Sequence, residues 1–300
     1  MTSNVEGRGN PNEPHEQEPM DVRIDMPWGY VVGRWYGNRQ VRPILALHGW
    51  LDNLGTWDKL LPLLPKHLGV LCIDLPGHGY SSKLPEGIAY HFRGLPIDYL
   101  RTNIEGYMVE DERFANAKRQ EPPAYTYTEL EQVLHKGSEY SVELENCRHI
   151  LERNISRSTK FPAKFFFSRD GRCKYYTEFH TSPPFAAELA RTIKNVPYCV
   201  IKGSESNFID EQSDEVIGIL RENNPHFELH EVQGTHHVHL NNAQGVAAII
   251  NPFILHHRPP HLENWTVDAA DEELPEVVKE FKLAVEDSEN VKRRKRKSNL

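Results

Sequence analysis

Two runs of apolar residues without alternation stand out along this 300-residue chain. Ile44-Leu45-Ala46-Leu47 ends at His48-Gly49, and Val70-Leu71-Cys72-Ile73 ends at Asp74 and is stopped by Pro76-Gly77. Strands buried on both faces of a parallel sheet read this way, whereas half-exposed strands alternate. Between the runs, Leu60, Leu61, Leu63, Leu64 and Leu68 recur at helical spacing, which predicts a helix. Upstream, residues 30–36 and the segment from Arg42 read as two strands joined by a turn at Gly37-Asn38. Further along, Leu130, Val133 and Leu134 form one helical apolar patch, and Leu144, Cys147, Ile150 and Leu151 another. Residues 198–203 and 229–232 read as two more strands, with glycine at Gly203 and Gly234 closing them. Strands that alternate with helices predict an α/β architecture, a mostly parallel central sheet flanked by helices.

Composition separates this body from its ends. Residues 1–19 carry only one branched aliphatic, Val5, too little to offset the entropy of ordering, so a polar tail is expected rather than a signal peptide. After residue 258 the chain turns acidic, then basic at Lys292 to Lys297, and a second tail is expected over 259–300. The globular domain is therefore expected over 20–258. A net charge of −8, a mean hydropathy of −0.62 and 38% hydrophobic residues fit a polar-surfaced domain with tails. No apolar run approaches the roughly 18 residues a membrane helix needs, so no membrane partner is expected. Cys72, Cys147, Cys173 and Cys199 show no paired spacing and read as reduced intracellular thiols.

Three separated motifs carry the chemistry. They are Leu47-His48-Gly49-Trp50-Leu51-Asp52-Asn53, then Asp74-Leu75-Pro76-Gly77-His78-Gly79-Tyr80-Ser81-Ser82, and last Gly234-Thr235-His236-His237-Val238-His239-Leu240. In this order they resemble the α/β-hydrolase superfamily, and within it the serine hydrolase-like (kraken-type) branch. Tyr125-Thr126-Tyr127-Thr128-Glu129-Leu130 and Phe166-Phe167-Ser168-Arg169-Asp170 extend the resemblance, which covers roughly residues 22–255. The resemblance implies the α/β-hydrolase fold with a helical cap inserted at about 97–190, and acyl hydrolysis of a small ester, thioester or amide through an acyl-enzyme. It implies no cofactor and no metal.

The resemblance also assigns roles. An HG turn after a buried strand aims a backbone N–H at the developing oxyanion, and that donor is the N–H of Trp50, with His48 and Gly49 shaping the turn. A general base belongs on the loop after the last strand, and the Gly234-x-His spacing selects His236. His237 and His239 are then packing residues. A metal reading of His236-His237-x-His239 has no matching cysteine or carboxylate pattern behind it. The acid is open: the family's aspartate position after Gly203 is occupied by Ser206, and the nearest carboxylate is Glu205, which orients His236 only if the loop bends differently.

One expected element is absent from the sequence. No GxSxG exists in the chain, and only Arg93-Gly94-Leu95-Pro96 separates Phe92 from Ile97, where the family runs helix, strand, nucleophile elbow, helix and strand. Those elements total roughly 40–50 residues. The elbow strand belongs beside 44–47, so its deletion is expected to leave that strand as an uncovered edge and to lower stability. The chain is thus expected to be inactive as written. Its alternatives are a non-catalytic binding or regulatory protein, or a truncated splice or gene-model product that does not fold stably. Ser298-Asn299-Leu300 resembles a peroxisomal address, which predicts an import receptor as partner and a peroxisomal or cytoplasmic location. The six basic residues before it also read as a nuclear run, and nucleic-acid binding is disfavoured by the acidic remainder.

Overall fold

The computed structural model describes residues 18–86, 90, 108–112, 121–174 and 183–259. Strict alternation of apolar with charged residues makes β1 (Met20–Met26) a one-faced strand, and it pairs antiparallel with β2 (Gly29–Gly37), placing Met20 opposite Trp35. The apolar runs become β3 (Ile44–Leu47) and β4 (Gly69–Ile73), paired in parallel. The order is β1-β2-β4-β3. The chain therefore leaves β2 by a crossover and not by the expected hairpin: β2 pairs antiparallel with β4. Gly37 exits at φ +70, where a Cβ would meet the Leu68 carbonyl at 2.4 Å, and Asn38 N–H donates to that carbonyl at 2.8 Å. The described sheet is mixed, with parallel pairing confined to β3 and β4, rather than mostly parallel.

The leucines at 60–68 do not make the expected helix. Pro62 and Pro65 remove backbone donors, and the segment keeps only a short 3-10 turn at Leu61–Leu63, preceded by another at Leu54–Trp57. Burial is kept: Leu60 packs with Val232 and Val246, and Leu68 with Leu54, Val70 and Cys72.

The middle of the chain forms α1 (Tyr127–Gly137), started by a reciprocal Thr126–Glu129 capping box, then α2 (Cys147–Leu151) and a hairpin of β5 (Ile155–Arg157) with β6 (Phe165–Phe167). After α3 (Pro183–Thr192), β7 (Tyr198–Gly203) and β8 (Phe227–Val232) pair in parallel around α4 (Asp214–Asn223), as a sheet of their own. A short α5 (Val238–Asn241) and the long α6 (Ala243–His257) close the described chain. Leu240 of α5 packs into the cluster of Leu130, Leu134, Val142, Cys147, Ile150 and Leu151, tying the middle segment to the last loop.

Among the described residues β3 is an edge. It pairs with β4 alone, and Leu45 and Leu47 are 56% and 51% exposed. The expected junction at Arg93 to Pro96, residues 97–107, 113–120 and 175–182 of the expected cap, and most of both expected tails, with Lys292 to Lys297 and Ser298-Asn299-Leu300, lie outside the described residues. Among those described, no helix is long and apolar enough to cross a membrane.

Candidate active site

The loops that follow β3 and β4 are built against each other by two buried histidines. His48 accepts the Leu75 N–H on Nε2 at 2.9 Å and bonds the Gly49 carbonyl through Nδ1 at 2.6 Å. His78 does the reverse, accepting the Leu51 N–H on Nε2 at 3.2 Å and bonding the Pro76 carbonyl through Nδ1 at 2.9 Å. Each ring therefore spends one nitrogen as acceptor and one as donor, the neutral tautomer. Burial pushes both pKa values down, that of His78 to about 4. The Gly49 carbonyl also accepts the Asp52 N–H, which closes the turn that carries Trp50. Leu51, the residue after the expected oxyanion donor, sits at φ +66, a strained position for a branched side chain. The Arg169 guanidinium holds its carbonyl at 3.0 Å, and the Trp50 ring N–H donates to the Cys173 carbonyl at 2.8 Å.

Beneath these loops lies a saturated hub. Asp74 is fully buried and accepts from Leu54 N–H, Tyr80 N–H and the Arg153 guanidinium, at 2.9, 2.9 and 2.8 Å. Buried charges persist only when paired and hydrogen-bonded in this way. A second buried ion pair, Arg172 with Asp170, takes the Tyr90 hydroxyl and the Leu84 carbonyl into the same framework.

The loop after β8 carries the expected base. Gly203, at the end of β7, lies so close to this loop that a Cβ would meet the Thr235 carbonyl at 2.0 Å, and Gly234 turns at φ +132. His236 stands exposed beyond that turn, stacked on Phe208 with ring centroids 4.1 Å apart. Its Nδ1 meets the Ser206 hydroxyl at 3.2 Å, and its Nε2 has no hydrogen-bond partner among the described residues. Partial burial and the neighbouring His237 lower its pKa, against the opposing pull of Asp52. Ser206 thus occupies the place on Nδ1 where an orienting carboxylate would stand. Glu205 is not brought to His236; its carboxylate accepts from the Gln233 amide at 3.1 Å.

Residues that sequence reasoning left as packing form a second relay. His237 bonds Asp52 through Nε2 at 3.2 Å and Ser141 through Nδ1 at 2.6 Å. A carboxylate only accepts, so Nε2 carries the proton and Nδ1 accepts from the Ser141 hydroxyl. Burial alone would raise the Asp52 pKa, but the hydrogen bond from His237 and the nearby imidazoles hold it below the ordinary carboxylate range. His239 bonds the Thr56 hydroxyl at 2.7 Å, and burial pushes its pKa down to about 4. No local signal marks Ser141 or Asp52 as partners of His237, because they come from loops far apart in sequence. A separate cavity of about 630 Å³, lined by Asp58, Tyr127, Arg148, His149, Glu152, Ile155 and Phe165, touches none of the expected site residues.

Loops at the ends of β3, β4, β7 and β8, with an imidazole after the last strand, follow the layout of the α/β-hydrolase fold. The family model described as the alpha/beta hydrolase fold matches residues 42–110. The fold also resembles a hypothetical protein from Pseudomonas aeruginosa PAO1 (TM-score 0.63, 18% identity, 78% of this chain and 99% of that one). A thioesterase domain from the curacin biosynthetic pathway is similar too (TM-score 0.54, 14% identity, 78% and 99%). Within that class the relatives are specific. A probable serine hydrolase of Drosophila melanogaster is 28% identical over 295 residues, covering 78% of this chain and 87% of its own. A serine hydrolase-like protein of Danio rerio is 26% identical over 302 residues, covering 81% and 91%. This chain has the α/β-hydrolase fold and is similar to the serine hydrolase-like proteins. An alignment of 295 positions that takes up 78% of 300 residues leaves about 60 positions without a counterpart here.

Proposed function

We propose that this site is built for acyl hydrolysis of a small ester, thioester or amide, and that the chain as it stands binds acyl compounds without turning them over. The observation that carries the reading is His236. Its Nδ1 is held by a hydroxyl, its Nε2 has no hydrogen-bond partner among the described residues, and the sequence offers no GxSxG serine for it to deprotonate. A neutral hydroxyl stabilises an imidazolium far less than a carboxylate does, so the base is weakened as well as unemployed. The roughly 60 relative positions without a counterpart, and the uncovered edge of β3, support the loss of a segment beside that strand.

The test is to rebuild the segment from a serine hydrolase-like relative and follow p-nitrophenyl acetate. Turnover is expected only in the rebuilt chain, and His236→Ala should remove it while His239→Ala leaves most of it. Full activity in rebuilt His236→Ala would overturn the assignment. A second reading is favoured by the Ser141–His237–Asp52 relay, in which Ser141 serves as a nucleophile in the chain as it stands. Turnover in the unmodified chain that disappears in Ser141→Ala would select it.

A further inference from the structure

Twelve histidines lie within the described residues, and most are spoken for. His48, His67, His78, His135, His149, His230, His236, His237 and His239 each have a ring nitrogen hydrogen-bonded to a protein group. The three exceptions are His226, His256 and His257, and these three meet one another. Ring centroids lie 4.6 Å apart for His256 and His257, 5.0 Å for His226 and His257, and 6.2 Å for His226 and His256. One nitrogen from each falls within 4.8 Å of the others. By contrast, the more conspicuous His236-His237-x-His239 sequence is dispersed onto Ser206, Ser141, Asp52 and Thr56.

We propose that His226, His256 and His257 form a binding site for a divalent transition-metal ion of the imidazole-preferring kind, Zn²⁺ first among them. The site is independent of the acyl chemistry. Two separate elements supply it. His226 precedes β8 and is fixed through its carbonyl, which accepts the Tyr198 N–H of β7 at 3.3 Å. His256 and His257 occupy the last turn of the 15-residue α6. The carbonyl end of a helix is its negative pole, which favours a cation and disfavours an anion at this spot. Glu228, two residues along β8, adds negative charge nearby, although its carboxylate already takes His230 at 2.6 Å. Tetrahedral zinc with bonds of about 2.0–2.1 Å needs nitrogens about 3.4 Å apart. His226 and His256 are exposed and His257 half-buried, so small rotations about their side-chain bonds close the remaining distance. Three imidazoles then leave the fourth position for water. Bound metal would clip the end of α6 to the start of β8 and so stabilise the β7–β8 unit.

The test is calorimetric titration of the chelator-treated full chain with zinc chloride, alongside thermal melts. The expected result is one Zn²⁺ per chain and a Tm raised by zinc. His226→Gln, and His256→Gln with His257→Gln, should each weaken binding at least tenfold while leaving the zinc-free melt unchanged. His236→Gln should bind as the parent does. Absence of binding, binding retained in the triple variant, or binding lost in His236→Gln would each overturn the proposal. Because these side chains lie outside the buried clusters, glutamine replaces them without opening the core.

Discussion

The loops after β3 and β4 and the loops after β7 and β8 lie at corresponding strand ends, yet they are held in different ways. In the first pair every polar group named has a partner: His48 and His78 exchange backbone amides, and Asp74 accepts from three donors, Arg153 among them. In the second pair His236, the proposed base, stands exposed, with one hydroxyl on Nδ1 and no Nε2 partner among the described residues. The framework that would hold an oxyanion is thus kept at full strength, and the machinery that would use it is thin. Buried ion pairs cannot lose one member without a large cost, whereas an exposed loop tolerates exchange. A loss of catalytic parts of the kind proposed would therefore not propagate into the framework.

The largest expected effect lies in that framework. Arg153→Met strands the Asp74 carboxylate in the core, and chemical denaturation should register a loss of about 3–5 kcal/mol. A loss under about 1 kcal/mol would mean that the hub is not the anchor described. Next comes the bridge between the two regions. Asp52→Asn weakens the bond to His237, by about 1.5–3 kcal/mol at neutral pH. The Asp52 carboxyl is held below its ordinary range, so this stability is complete above about pH 4 and is lost as pH falls through the lower folded value. The variant's deficit should shrink on acidification; a deficit that grows there would reverse the assignment.

A smaller effect sharpens the contrast directly. Ser206→Asp sets a carboxylate on His236 Nδ1 and should raise its pKa by about one unit, read by NMR titration of the imidazole. No rise would mean that residue 206 does not face the ring in solution. The smallest effect concerns the open edge. Leu45→Thr with Leu47→Thr should change stability by less than about 0.5 kcal/mol in the chain as it stands, and by several times more in a chain with the segment rebuilt. Equal costs in the two chains would show that β3 is covered already.

Legibility in the sequence followed the same division. The cores of β3, β4 and β7 could be read because apolar runs announce them, and the end of β8 because Gly234 follows Val232 closely. β1 was passed over although Met20, Val22, Ile24 and Met26 alternate with Asp21, Arg23 and Asp25, the clearest period-two signal in the chain. The 60–68 segment misled because leucine spacing was weighed above Pro62 and Pro65. Motif order placed Trp50 and His48 after β3 and His236 after β8, where they stand on loops. The contact between Ser206 and His236 was hinted at by spacing from Gly203, but Asp52, Ser141 and His237 meet only through the packing of α5 against α1 and α2, which no local pattern encodes.

The central claim is that the framework survives while the activated serine does not. Its most direct test is a fluorophosphonate probe applied to the folded, unmodified chain, followed by mass spectrometry of any labelled peptide. The account predicts no serine labelled above the level of the heat-denatured protein. Labelling that is abolished by heat and lost in Ser141→Ala would contradict it.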